Sequence, residues 1–257
     1  MKITLAIARH ELRRLFVSPL AWTLLAISQF LNGLLFVMSL TDITLNPQHL
    51  DAYDGVSELV GAGLFRFVTL VLLLVVPLLT MRLFAEERKT GSLELLLAAP
   101  VSSTGIVLGK FAGLMCYLSL MLGLAAAMPL SLALFTPLDL GVIGTGLIGL
   151  WGVTAAFVAI GLFASSLTRE PTLAAVATLG VLLVLWLMYA LSSIDWQPEV
   201  LGHVLNIGDV ARQLSLISHH NALLRGVFSS ADLLYFVIFT AAFLALAVVR
   251  LDADRQA

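Results

Sequence analysis

Six runs of apolar residues, each long enough to cross a lipid bilayer, constrain this chain more than any other feature: Val17–Leu40, Leu59–Phe84, Ile106–Met128, Gly141–Leu167, Leu173–Ser192 and Leu233–Val249. A hydrocarbon core of roughly 30 Å takes about 20 helical residues. Backbone amides find no water there, so each run has to close its hydrogen bonds within itself as a helix. Composition agrees, with 60% of the 257 residues apolar, 12% charged and a mean hydropathy of +1.03. A soluble domain is about half apolar and about a quarter charged, and this composition would leave it with large exposed apolar patches. The expected fold class is therefore an all-α membrane protein with six transmembrane helices in a single domain, 1–257. The 14 basic and 16 acidic residues nearly cancel, which argues against a general nucleic-acid binder or a disordered tail. A lone cysteine, Cys116, excludes a disulfide framework and a cysteine-based zinc cage.

Basic residues orient the spans. Lys2, Arg9, Arg13 and Arg14 precede the first; Arg82, Arg88, Lys89 and Lys110 fall between the second and third. Arg169 lies between the fourth and fifth, and Arg250 and Arg255 follow the sixth, which makes eleven of 14 on one side. The opposite loops hold Arg212 and Arg225, and Arg66 sits inside the second run. The positive-inside bias places both termini in the cytoplasm.

Two segments outside the spans carry patterns of their own. In Lys2–Phe16 a helical wheel gathers Leu5, Ala8, Leu12, Leu15 and Phe16 on one arc, opposite Lys2, Arg9, His10, Arg13 and Arg14. This predicts an amphipathic interfacial helix on the cytoplasmic leaflet, turned into the membrane at Ser18-Pro19. No small-residue cleavage site follows the first run, which reads as a retained helix. The stretch 195–232 is too polar to span and too apolar for a plain loop. Val200–Leu205 and Ala211–Leu224 are expected there as short helices in the outer interface.

No residue set points to catalysis. His219-His220 has no cysteine or carboxylate close to it in sequence and reads as a polar loop facing water, with transient metal contact as the other reading. Gly105–Phe111 is one spacer short of a phosphate loop, lacks the hydroxyl that would hold magnesium and opens a membrane helix, so it reads as a decoy. The chain is not expected to hydrolyse ATP itself. An ionisable group at mid-membrane costs at least ~2.5 kcal/mol and so marks ion coupling, yet no run carries one at its centre. Arg66, near the outer third of its run, can snorkel. Its structural readings are pairing with Glu58 or holding an outer-leaflet phosphate; contact with a substrate stays open beside them.

The most informative stretch lies between the second and third runs. Glu86-Glu87-Arg88-Lys89 close the second span, Thr90-Gly91 break its helix, and Ser92 is expected to cap a new helix by accepting a backbone N–H. Pro100 stops that helix. Leu93, Leu96 and Leu97 follow i, i+3, i+4 spacing and form an apolar stripe. A helix of about two turns is not stable alone in water, so it docks on something. Its own bundle or lipid is one partner; the order of charged elbow, glycine hinge, leucine helix and proline stop favours a separate cytoplasmic protein.

From Glu86 to Ser102 the sequence resembles, without a gap, the pattern E-E-R-[RK]-x-G-[ST]-L-E-L-L-L-x-x-P-[VI]-[ST]. That pattern marks the first cytoplasmic loop of the permease subunits of ABC-2 type transporters, especially the short gliding-motility-type permeases. Ala8-Arg9-His10-Glu11-Leu12 before the first span, Gly109-Lys110-Phe111 at the third, and Leu224–Phe228 with Asp232–Phe236 before the sixth are similar as well. The resemblance implies a six-helix half that pairs with a second permease half and binds two separate ABC ATPase subunits. Glu86, Glu87, Arg88, Gly91, Leu93, Glu94, Leu96, Leu97 and Pro100 would belong to the coupling helix and loop, 86–100, gripped by the ATPase. Arg9, Glu11 and Arg13 would lie on a connecting helix beside it, and 195–232 would form partly re-entrant outer helices. The resemblance further implies that no cofactor or metal is bound directly, with ATP and magnesium acting through the partner. The setting implied is a bacterial cytoplasmic membrane, with lipids and no nucleic acid as further partners.

Gly105, Gly109 and Gly113 make two small-xxx-small steps, which serve helix packing either within the bundle or against a second half. The glycines that open the fourth run, from Gly141 to Gly152, signify flexibility or close packing. Pro77 and Pro129 are expected kinks. Three functions follow in order: an ATP-driven permease subunit, a non-transporting mechanotransmission or scaffold subunit using the same loop, and a secondary transporter, which the missing central charges disfavour. No feature specifies the substrate.

Overall fold

Each apolar run is a helix, and the helices begin where the local chemistry supplies a start. The structure is a computed structural model describing residues 2–46, 57–191, 199–200, 203–204 and 207–256. Helix α1 (Lys2–Val17) leads through Ser18 into α2 (Pro19–Leu45), whose first residue is a proline with no N–H to leave unpaired. A π-helical turn, Ser57–Ala62, enters α3 (Gly63–Thr80). Two short helices follow, α4 (Ala85–Thr90) and α5 (Ser92–Ala98). Helix α6 (Ser103–Ser131) is capped by Ser102, whose hydroxyl accepts from Gly105 N at 3.1 Å. Helix α7 (Leu140–Leu167) is capped by Asp139, which accepts from Gly141 N at 2.8 Å. Helices α8 (Pro171–Leu191), α9 (Ile207–Leu214), α10 (Leu216–Leu224) and α11 (Ser230–Gln256) complete the order.

Six of these stretches are long and apolar enough to span a membrane, centred on α2, α3, α6, α7, α8 and α11. Helix α7 is the axis. Within its most apolar window 78% of residues are buried, against 11% for α2, 17% for α8 and 11% for α11, which turn most of their side chains to the surroundings. Helix α7 packs on α3, α6, α8, α10 and α11. Lipid tails are as apolar as leucine, so such contacts gain from close fit rather than from leaving water. The glycines of α7 provide that fit. A Cβ on Gly149 would lie 2.9 Å from His220 Nδ1, and one on Gly152 would lie 2.9 Å from the Phe236 ring. Close packing is therefore what Gly146, Gly149 and Gly152 serve, whereas a Cβ on Gly144 would meet nothing within 4 Å.

Helix α1 lies along α6, on the glycine track read from sequence. A Cβ on Gly109 would meet Ile7 at 2.8 Å and the Thr4 carbonyl at 3.0 Å; on Gly113 it would meet the Ala8 carbonyl oxygen at 2.7 Å. The track thus seats a helix of the same chain. Glu11 is buried towards α6, and Leu5 and Phe16 of the apolar arc are not covered by the bundle. Both chain ends lie at one end of the bundle with α4 and α5: Arg255 near the end of α11 donates to the carbonyls of Ala99 and Val101 at 2.9 Å each.

At the opposite end, α9 and α10 cover the stretch expected as a helix at Ala211–Leu224, broken at Ser215. Among the described residues of the stretch expected as a helix at Val200–Leu205, none is helical. Glu199–Val200 instead pairs antiparallel with His203–Val204. Two β-branched valines flanking a glycine favour extended chain over helix. The Arg66–Glu58 pairing lies outside the described residues, as the Glu58 side chain is not among them.

Gly113→Leu is expected to lift α1 from α6. Overpacking of this kind costs roughly 1–3 kcal/mol. Lower thermal stability in detergent, with new tryptic cleavage at Arg9, Arg13 or Arg14, is the expected result; an unchanged melt and digest would contradict the seating.

Candidate functional site

The site grows from the place where α3 stops. After Thr80 the chain leaves helical form through Met81–Phe84, and buried Ser165 of α7 holds the bend. Its hydroxyl accepts from the amides of Phe84 and Ala85 at 3.1 Å each and donates to the Met81 carbonyl at 3.1 Å. One side chain thereby satisfies groups at the end of one helix and the start of the next. Helix α4 places Glu86 and Glu87 in its first turn and Arg88 and Lys89 in its last, in the sense its dipole favours. Gly91, with φ +76°, closes α4 and opens α5 in a left-handed conformation that glycine adopts without strain.

Gly91, not Ser92, is the residue at the helix boundary. Ser92 lies inside α5 and its hydroxyl donates to the Glu87 carbonyl at 3.3 Å, also meeting Thr90 Oγ1 at 3.0 Å. The expected cap is thus reversed in sense, because the positive φ of Gly91 already turns the chain.

Behind α4 sits a cluster of charges drawn from three elements. Lys110 of α6 is 1% exposed, and its ammonium lies 2.5 Å from Glu11 of α1 and 2.5 Å from Glu87 of α4. The Phe84 ring centroid lies 5.3 Å from the same nitrogen, within cation–π range. Arg14 adds a second cation, 2.6 Å from Glu86, 3.7 Å from Glu11 and 3.9 Å from Glu87. On the other flank Arg88 pairs with Asp254 of α11, which Arg250 also meets at 3.2 Å. Lys89 and Glu170 pair at 3.0 Å with both side chains more than half exposed, a contact worth little.

The residues read as a docking loop therefore divide into two sets. Glu86, Glu87 and Arg88 bind within the chain. Leu93 and Leu97 are buried against the bundle with Leu96 half-buried, so the apolar stripe faces inward. Left outside are Glu94, Ala98, Pro100 and above all Leu95, which is 77% exposed. On α1, Glu11 is buried in the charge cluster while Arg9 and Arg13 face outward. Sequence reasoning missed Lys110, Leu95, Ser165, Asp254 and Arg255. For Lys110 a signal existed: a lone base at the start of an apolar run needs an acid.

The two histidines diverge, and neither lies in a water-facing loop. His219 Nδ1 meets Asp232 at 2.6 Å, and its ring stacks on Tyr235 at 4.2 Å. His220 is buried, with Nε2 3.2 Å from Thr69 Oγ1 of α3. Burial first and the Arg66 charge second push its pKa down to about 3, so its imidazole is neutral at physiological pH. Packing of α10 onto α7 places it there, beside the Thr69 hydroxyl of α3.

The sequence profile of a family described as "ABC-2 family transporter protein" matches residues 5–255, nearly the whole chain. No curated protein matches the sequence.

Lys110→Met is expected to leave two carboxylates in the junction without their cation. Breaking one partner of a buried pair costs about 3–5 kcal/mol. The loss should appear as a lower midpoint of unfolding in detergent, partly restored by adding Glu11→Gln. Equal stability of the single variant and the parent would sink the assignment.

Proposed function

The chain belongs to the ABC-2 family of transporter proteins, and on that premise we propose that it is the membrane-spanning permease subunit of an ATP-driven transporter. It pairs with a second permease half and docks two separate ABC ATPase subunits through α4 and α5. ATP and magnesium act in those partners, and this chain performs no catalysis. Both termini and the α4–α5 loop face the cytoplasm of a bacterial cell, across its inner membrane, as the distribution of basic residues favours.

One observation carries this reading: a two-turn helix whose inner face is fixed to the bundle and whose outer face presents Leu95 almost bare. A solvated leucine in the middle of a short helix gains from burial by a partner. Glu94, Ala98 and Pro100 surround it, and Arg9 and Arg13 offer charge on the neighbouring α1. Movement of the ATPase against α5 passes through Gly91 to α4. From there it reaches α6 and α1 through Lys110, α7 through Ser165 and α11 through Asp254. The docking helix is thus joined to several spans at once, as a coupling element requires, and movement of cargo across the membrane follows from their displacement.

Leu95→Asp is expected to reduce retention of co-expressed ABC ATPase chains on the tagged permease at least tenfold, a hot-spot loss of about 1.4 kcal/mol or more. Its melt in detergent should stay that of the parent, whereas Leu97→Asp should unfold. Full ATPase retention by a folded Leu95→Asp protein would rule out this docking face.

A further inference from the structure

Of the 14 basic residues, the three outside the eleven grouped by the sequence with the α4–α5 end are Arg66, Arg212 and Arg225, and all three line one cavity. They arrive from separate elements: Arg66 from the first turn of α3, Arg212 from the last turn of α9, and Arg225 from the residue after α10. Ser218 and Asn221 of α10 and Tyr189 near the end of α8 complete the polar wall. The cavity measures about 660 Å³, within the ~300–1,000 Å³ typical of small-ligand sites.

Its wall is made for an anion. Among the described residues no carboxylate lines it, and none of the three guanidinium groups takes part in an ion pair. At the other end of the molecule Arg14, Arg88, Lys89, Lys110 and Arg250 are each matched with acids. Three like charges facing one space repel one another unless an anion enters. The ligand class follows from geometry of donors. A carboxylate has two oxygens and satisfies one guanidinium fork, whereas a phosphate group offers three or four and can engage several arginines together. Ser218 adds a hydroxyl and Asn221 an amide.

We propose that this cavity binds a phosphate-bearing anion held jointly by Arg66, Arg212 and Arg225. Basic pockets between membrane helices bind lipid headgroups in this way, and free phosphate shares the same chemistry. The site goes beyond the permease reading and needs no ATPase to form, so the two stand or fall separately.

The test uses the full chain purified in a neutral detergent. Melting is followed with added phosphatidylglycerol, with phosphatidylcholine, and with inorganic phosphate against chloride at equal ionic strength. A ligand that binds only the folded state raises the melting midpoint. Stabilisation by phosphatidylglycerol alone assigns the ligand to a lipid headgroup; stabilisation by inorganic phosphate as well shows that the free anion suffices. Either shift should vanish in the Arg66→Gln/Arg212→Gln/Arg225→Gln protein and persist in the triple lysine variant. Should the triple glutamine protein fail to fold, Arg212→Gln alone is expected to weaken the apparent affinity at least threefold. The proposal is overturned if neither phosphate source shifts the parent relative to its control, or if a folded glutamine variant responds as the parent does.

Discussion

The ammonium of Lys110, withdrawn from water between Glu11 and Glu87, is the interaction on which the α4–α5 end of the bundle depends. Taking one charge out of water costs several kcal/mol, and acids at close range offset that cost only when they are held in place. Glu11 and Glu87 lie on different helices, so satisfying Lys110 brings α1 and α4 to the same face of α6. The glycine track on α6 lets α1 come close enough for its carboxylate to reach, and Ser165 sets the bend that delivers Glu87. Such a cluster adds little net stability compared with a well-packed apolar one. Its effect is positional: it specifies a single arrangement of three helices that apolar contacts alone would leave free to slide.

The two ends of the molecule use charge in opposite ways. Around α4 and α5, Arg14, Arg88, Lys89, Lys110, Arg250 and Arg255 find carboxylates or carbonyls of the same chain, which stiffens the surface offered to a partner. At the end holding α9 and α10, Arg66, Arg212 and Arg225 converge on one cavity with no such match among the described residues. A chain with few charged side chains thus places one group of cations where they fasten helices and another where they face a cavity. The apolar α7 between them runs from the Gly149 contact with His220 to the Ser165 hydrogen bonds at the α4 bend. It is the common wall of both regions.

Much of this was legible in the sequence because its causes are local. Long apolar runs gave the spans, and Gly91 and Pro100 gave the limits of the short helix between them. The full-length family match agrees with the motif from Glu86 to Ser102. What the sequence could not show is which partner a pattern serves. A stripe such as Leu93, Leu96 and Leu97 announces a covered face without saying what covers it, and the bundle itself does so. Lys110 and Glu11 stand 99 positions apart, so no short-range periodicity connects them. His220 follows His219 and precedes Asn221, a polar context that hid its burial against α7. Ser92 has the chemistry of a cap, but the left-handed Gly91 beside it took over the boundary.

Amide hydrogen exchange on the parent and the Lys110→Met protein, each folded in detergent, tests the central role of this ammonium most directly. If Lys110 fastens three elements, its loss should speed exchange in α1 and in α4–α5 together, while α8 keeps its protection. Exchange that quickens only in the turn of α6 around residue 110, with α1 and α4 as protected as before, would contradict the account.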